Sequence, residues 1–285
     1  MPGNHSLALK TACVQFAVLL LISPLVTATS DYDHSPTVGP AKGFLVIVGG
    51  GTVVPEIKNR FTELAGGPEA NFVLIPTAMP DNAFNTEQAQ KYFSSIFGTA
   101  HVTVLHTRDR KLADSPGFAE PLRHASGVWI EGGRQWRLAD AYLGTAVERE
   151  IKALLARGGV VGGSSAGATI QGSYLVRGAP ASPDNPDGDN TIMMVPGHER
   201  GFALLPDSAI DQHVIARHRE SDLVPVIASH PGLLGIGIDQ ETAIVVHGDD
   251  FEVIGDSKVI IHDGKKPFYF LSHGQKFNLK TRLLE

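Results

Sequence analysis

The stretch Gly159-Val160-Val161-Gly162-Gly163-Ser164-Ser165-Ala166-Gly167-Ala168-Thr169-Ile170-Gln171 decides how the chain is read. It opens with a short apolar run, passes through glycine-flanked serines and continues into a helix-compatible segment. Residues 163–167 have the form Gly-x-Ser-x-Gly. Strand, sharp glycine-flanked turn and helix form the geometry that holds a nucleophilic serine on a strained corner. The start of a helix also brings free amides and a positive dipole end beside the hydroxyl. Ser165 is therefore the candidate nucleophile, and Ser164 is read as structural.

Similar apolar runs alternate with helical patterns on the N-terminal side. Phe44–Val48 ends in Gly49-Gly50-Gly51, Phe72–Ile75 is closed by Pro76, and Val102–Leu105 and Gly127–Ile130 follow. Residues 56–65 read as a helix. Asn85 with Gln88 forms a capping signal for a second helix reaching about Phe97. Apolar residues at helical spacing run from Leu138 to Leu155 and predict one further helix. Continuous apolar strands between helices indicate an α/β fold, with a mainly parallel sheet and helices on both faces. Beyond about residue 230, short strands separated by turn signals such as Gly248-Asp249-Asp250 and Asp263-Gly264 predict C-terminal antiparallel hairpins on the same sheet. No internal repeat or linker interrupts residues 42–285, which are read as a single α/β domain. Residues 178–190, dense in Pro, Asp, Asn and Gly, form a long loop read as a solvated flap near the site. Asp184, Asp187 and Asp189 in it lack calcium-loop spacing.

The 285 residues carry a net charge of -6 with no basic stripe, which argues against a nucleic-acid partner. An apolar stretch from Phe16 to Val26, broken only by Ser23 and Pro24, ends in Val26-Thr27-Ala28. It reads as a secretory signal peptide over residues 1–28, too short to span a bilayer. Residues 29–41 read as a flexible leader, and the expected location is secreted or periplasmic, with no membrane attachment after cleavage. The one cysteine, Cys13, would leave with the signal peptide. Disulfide, zinc–thiolate and thiol chemistry are then not expected.

A serine nucleophile needs a base and a site for the oxyanion. Glu131-Gly132-Gly133-Arg134-Gln135 follows a strand, and paired glycines there can turn free amides toward a carbonyl oxygen. Among twelve histidines, His213 stands out in Asp211-Gln212-His213, read as the start of a helix-like segment. His218, five residues on, does not share its helical face, so no metal pair is expected. His101, His106 and His262 flank strand runs and read as packed or edge residues. Trp129 and Trp136 read as core and helix-packing residues.

Taken together, Gly162–Ala168, Gly132-Gly133-Arg134-Gln135, Asp211-Gln212-His213 with Arg217 and Arg219, and Gly235-Ile236-Gly237-Ile238-Asp239 resemble the cyanophycinase family of serine peptidases. That family is related to aspartyl dipeptidase and has a three-layer, glutamine-amidotransferase-like fold. The resemblance runs in order from about Gly43 to about Asp263. It implies hydrolysis of β-linked aspartyl peptides. The polymer would be cyanophycin, a polyaspartate bearing arginine on each β-carboxyl, and the product the β-Asp-Arg dipeptide. An isoaspartyl dipeptidase, or a non-catalytic binding protein on the same fold, is left open. By position, the resemblance implies Ser165 as nucleophile, His213 as general base, and the Gly133 and Ala166 amides as oxyanion hole. Gln135, Asp211, Gln212, Arg217 and Arg219 would line the substrate pocket. The third triad position falls on Gln240, with Asp239 or Glu241 as alternatives. The implied partner is a peptide or polymer substrate; no cofactor or metal is expected, and a homodimer is left open. The chain departs from the family pattern at Ser164 (usually Thr), Arg134 (usually Asn), Asp222 (usually Arg) and Gln240 (usually an acid).

Overall fold

The computed structural model describes residues 1–3, 37–83, 85–188, 190–265 and 268–285. The predicted signal peptide, apart from its first three residues, and the leader up to residue 36 lie outside the described residues, as does Asp189. The last part of that leader is tied down: Val38 N donates to Asp249 Oδ1 at 2.7 Å and Gly39 N to Gly248 O at 2.7 Å.

The first half of the chain alternates strands and helices. It runs β1 (Phe44–Val48), α1 (Pro55–Leu64), β2 (Phe72–Ile75), α2 (Thr86–Phe97), β3 (Val102–Val104), α3 (Arg110–Ala113), α4 (Pro116–His124) and β4 (Gly127–Ile130). It continues with α5 (Gln135–Tyr142), α6 (Ala146–Ala156), β5 (Val160–Ser164), α7 (Ala166–Thr169) and β6 (Gly172–Tyr174). The second half adds β7 (Leu205–Gln212), α8 (Val224–Ser229), β8 (Leu234–Ile238), β9 (Thr242–His247), β10 (Asp250–Gly255) and β11 (Lys258–His262). It ends with β12 (Tyr269–Ser272), β13 (Lys276–Asn278) and β14 (Leu283–Leu284). The local signals account for many of the boundaries. Asn85 Oδ1 accepts from Gln88 N at 3.0 Å and starts α2, and Gly98 in the left-handed region ends it.

A nine-stranded sheet has the order β14-β13-β10-β9-β1-β5-β4-β2-β3, with β1, β5, β4, β2 and β3 parallel. Its parallel strands are apolar on both faces because both are covered. Leu45 and Ile47 face a core shared with α4 and α6, while Val46 and Val48 face an aromatic cluster of Phe61 from α1, Phe93 and Phe97 from α2, and Trp129.

Two expectations need correction. The later strands do not all extend one sheet. β9, β10, β13 and β14 join the parallel strands, but β8, β11 and β12 belong to a second, five-stranded sheet of order β12-β11-β8-β7-β6. Period-two patterning shows that a strand exists, not which edge it pairs with. The helix expected over Leu138–Leu155 is two helices. Gly144 breaks it, and its amide donates to Glu148 Oε2 in the first turn of α6 at 2.6 Å.

Candidate active site

The C-terminal end of β1 organises the site through three consecutive carbonyls. Val48 O accepts from Ser165 N at 3.0 Å, Gly49 O from His213 N at 2.9 Å, and Gly50 O from Glu241 N at 2.9 Å. Residues brought from the ends of β5, β7 and β8 thus share one strand edge, the place where open α/β sheets carry their ligands.

Ser165 follows β5 with φ 55° and ψ -109°, a strained corner for a residue with a side chain. The turn closes only because Gly163 and Gly167 lack Cβ atoms, which would lie 2.4 Å from Gly167 O and 2.0 Å from Ile130 O. Ser165 Oγ lies 2.9 Å from His213 Nε2. His213 is also held at positive φ, and its ring fills the space over Gly50, where a Cβ would come within 2.1 Å of Cε1.

The Gln240 side-chain Nε2 lies 2.8 Å from His213 Nδ1, and Ser165 Oγ donates to Gln212 Oε1 at 3.4 Å. With the Gln240 amide in this orientation, Nδ1 accepts and Nε2 carries the ring proton. A half-turn of the Gln240 amide exchanges its oxygen for its nitrogen; Nδ1 then holds the proton and Nε2 has a free lone pair. Burial, reinforced by the nearby charges of Arg217 and Arg219, pushes the His213 pKa down to about 4 against the opposing pull of Asp239 and Asp211. The imidazole is therefore neutral at physiological pH, as a general base requires.

On the other side of Ser165, a Cβ on Gly132 would be 3.3 Å from that of Ser165. Arg134 N donates to Ala78 O at 2.8 Å and fixes the Gly132-Gly133 turn. Among the described residues the amides of Gly133 and Ala166 have no acceptor, so both are free to receive one.

Ser165 opens onto a cleft of about 870 Å³ whose wall includes Gly133, Gln135, Gln212, Arg217 and Arg219, together with Arg134, Arg137, Arg177, Asp187 and Asp222. Arg134 and Arg137 both hold Asp187, through its carbonyl and its carboxylate respectively. The described part of the 178–190 loop therefore meets the cleft at Asp187. Among the described residues no cluster of His, Cys, Asp or Glu could hold a metal ion, and no helix is long and apolar enough to cross a membrane.

A profile of Peptidase family S51 matches residues 45–254. The chain belongs to peptidase family S51. It is accordingly a serine-type peptidase. A cyanophycinase from Geminocystis herdmanii is 30% identical over 248 residues, covering 79% of this chain and 89% of its own length. One from Trichormus variabilis is 33% identical over 211 residues, covering 73% and 68%. Two solved structures share the fold. A peptidase from an acI-B1 Actinobacterium has a TM-score of 0.64 at 24% identity, covering 84% of this chain and 98% of that one. A putative peptidase E protein from Listeria monocytogenes EGD-e has a TM-score of 0.53 at 19% identity, covering 76% and 100%.

Most of the site residues expected from sequence converge on this cleft, with four differences, at Asp211, the 211–212 segment, Arg177 and Trp136. Asp211 does not line the cleft. It is fully buried at the end of β7 and binds Arg177 through both oxygens, at 2.5 and 3.3 Å. The segment holding Asp211 and Gln212 is a strand, not a helix start, because β7 is sandwiched between β6 and β8. Of the three candidates for the third position, only Gln240 bonds the imidazole. Asp239 instead accepts from Ile215 N and Ala216 N with Oδ1, at 3.0 and 2.9 Å, and from Ser257 Oγ with Oδ2 at 2.7 Å, so it braces the segment behind His213. Glu241 contributes its backbone amide to Gly50. Arg177 was missed altogether. Its one signal in the sequence is a charge closing an apolar run ahead of Gly178-Ala179-Pro180. Trp136 is also less structural than expected, since it lines the cleft beside the Arg137 guanidinium, 5.0 Å from its ring centroid.

Proposed function

We propose that the chain is a secreted serine exopeptidase that depolymerises cyanophycin to β-Asp-Arg dipeptides through a Ser165–His213 acyl-enzyme. The observation that carries this reading is the 2.9 Å contact between Ser165 Oγ and His213 Nε2 at a cleft walled by arginines. The similarity to cyanophycinases supports the substrate, and the apolar N-terminal stretch supports secretion. Because the product keeps the amide between the aspartate β-carboxyl and arginine, the bond broken is the α-amide of the polyaspartate backbone.

With the Gln240 amide oxygen turned to Nδ1–H, Nε2 takes the Ser165 proton as Oγ bonds to the peptide carbonyl carbon. The carbonyl oxygen becomes an oxyanion between the Gly133 and Ala166 amides. The carbon–nitrogen bond then breaks, and the imidazolium returns its proton to the leaving amine. Water, deprotonated by His213, attacks the ester; the acid product leaves and Oγ regains its proton. A neutral amide orients the ring but stabilises imidazolium less than a carboxylate does. Arg217, Arg219 and Arg134 supply forked donors for the carboxylates of the substrate.

The test is incubation of the purified protein, starting after residue 28, with insoluble cyanophycin and separately with β-Asp-Arg, followed by mass spectrometry. Soluble β-Asp-Arg from the polymer is expected. Free aspartate and arginine from the dipeptide, with the polymer intact, would make it an isoaspartyl dipeptidase instead. No product from either would overturn the hydrolytic reading.

A further inference from the structure

Arg177 sits three residues beyond β6, almost wholly buried, with its backbone at φ 53°. Its guanidinium lies between two carboxylates. Asp211 takes it bidentately from the interior, while Asp222 Oδ2 takes Nη2 at 2.5 Å from the cleft side. One positive charge thus serves two negative ones, and the group as a whole carries a net negative charge. Asp211 already holds both Nη groups in a bidentate contact, the strongest such arrangement, and only the buried Nε of Arg177 has no partner among the described residues. A neutral acceptor at 222 would complete the Nη2 hydrogen bond equally well, so holding Arg177 does not by itself require a charge there.

Asp222 lines the same cleft as Ser165, and its side chain is 32% exposed. Its second oxygen, Oδ1, has no partner among the described residues. Burial pushes this carboxyl up, and the nearby Asp211 adds to that, against the pull of Arg177 and Arg219. Elsewhere on the wall Arg134, Arg217 and Arg219 bring positive charge, and the other lining carboxylate, Asp187, is taken up by Arg137. A carboxylate with one open oxygen beside several arginines suits a ligand carrying both charges.

We infer that Asp222 is a specificity-determining residue of this site, which recognises a cationic group on the substrate through its free oxygen while the arginines take the substrate carboxylates. The inference rests on the peptidase reading above and adds the residue that reads the cation. A guanidinium fits best, because its flat fork can reach Oδ1 without displacing Arg177 from Oδ2. A neutral group that fills the cleft shields Oδ1 from water without supplying a charge to match it, which is how a polar site rejects an isostere.

The experiment compares a short β-Asp-Arg oligomer with its citrulline counterpart, which has the same shape and no charge. The wild type is expected to favour the arginine oligomer by at least tenfold in kcat/KM. Asp222→Asn should raise KM for it about tenfold, leave kcat within twofold, and barely alter KM for the citrulline oligomer. Asp222→Glu should restore part of the preference. Calorimetric binding of both oligomers to Ser165→Ala reads the same preference without turnover. If that variant binds the arginine oligomer more tightly while the wild type cleaves neither, the peptidase reading fails and the role of Asp222 stands. Equal treatment of the two oligomers by the wild type, or an equal loss for both in Asp222→Asn, would overturn the inference.

Discussion

Replacing Gln240 by Glu tests the least usual feature of the site. The two side chains have the same shape, so the carboxylate would stand where the amide now lies 2.8 Å from His213 Nδ1. It can only accept, so Nδ1 must carry the proton, and the tautomer with Nε2–H is excluded. It also adds a charge about 4 Å from the centre of an imidazolium, worth about 4 kcal/mol at an effective dielectric of 20 and about 1 kcal/mol in water. Position 240 is half-buried, so about 2 kcal/mol is a fair middle value, or roughly 1.5 pK units. The base must be neutral to act, so the acid limb of kcat/KM follows the His213 pKa. In the wild type that limb should fall near pH 4. In Gln240→Glu it should move up to between about pH 5 and 6, while the plateau at pH 8 rises by roughly tenfold because the imidazolium formed in the transition state is better stabilised. The assay is initial rates on a soluble β-Asp-Arg oligomer from pH 3.5 to 9. An acid limb that stays near pH 4, or a plateau that falls, would refute the assignment of Gln240 as the partner of the base.

Two further outcomes follow from buried groups. His213 and His262 are both pushed down to about 4 by burial, against about 6.5 in an unfolded chain. The unfolded state therefore takes up protons first, and stability should be full above about pH 6.5 and fall as the pH drops toward 4, by up to ~3 kcal/mol for each residue. Thermal unfolding between pH 7.5 and 4.5 should show the decline, and His262→Gln should make it shallower; a flat profile in the wild type would contradict the burial argument. Gly50→Ala should lower kcat/KM by at least about 100-fold with the fold retained by circular dichroism, because the new Cβ would meet the imidazole at 2.1 Å and push it off Ser165. Unchanged rates in that variant would show that the ring position is not critical.

What the sequence made legible, and what it hid, has a common physical basis. Local constraints were readable. The serine corner needs glycines on both sides, so its position at 165 follows from residues 163–167, and helix α2 begins where Asn85 can cap it. Constraints between distant segments were not. Nothing near Gly50 shows that its missing side chain makes room for a histidine far along the chain. Asp211 looked like a pocket residue because it neighbours His213, yet alternation along β7 turns it inward to Arg177 while Gln212 faces Ser165. Arg177 itself lies outside any motif and gains its importance only when β6 and β7 pair. The same holds for the second sheet, whose strands are locally indistinguishable from those extending the first.

Hydrolysis by this chain depends on Ser165 being activated by His213. The most direct measurement is peptide mapping by mass spectrometry after treating the protein with a fluorophosphonate, for the wild type and for His213→Ala. The predicted result is a phosphonyl adduct on Ser165 in the wild type and its near-complete loss in the variant. No adduct at Ser165, or equal labelling of the two proteins, would contradict it.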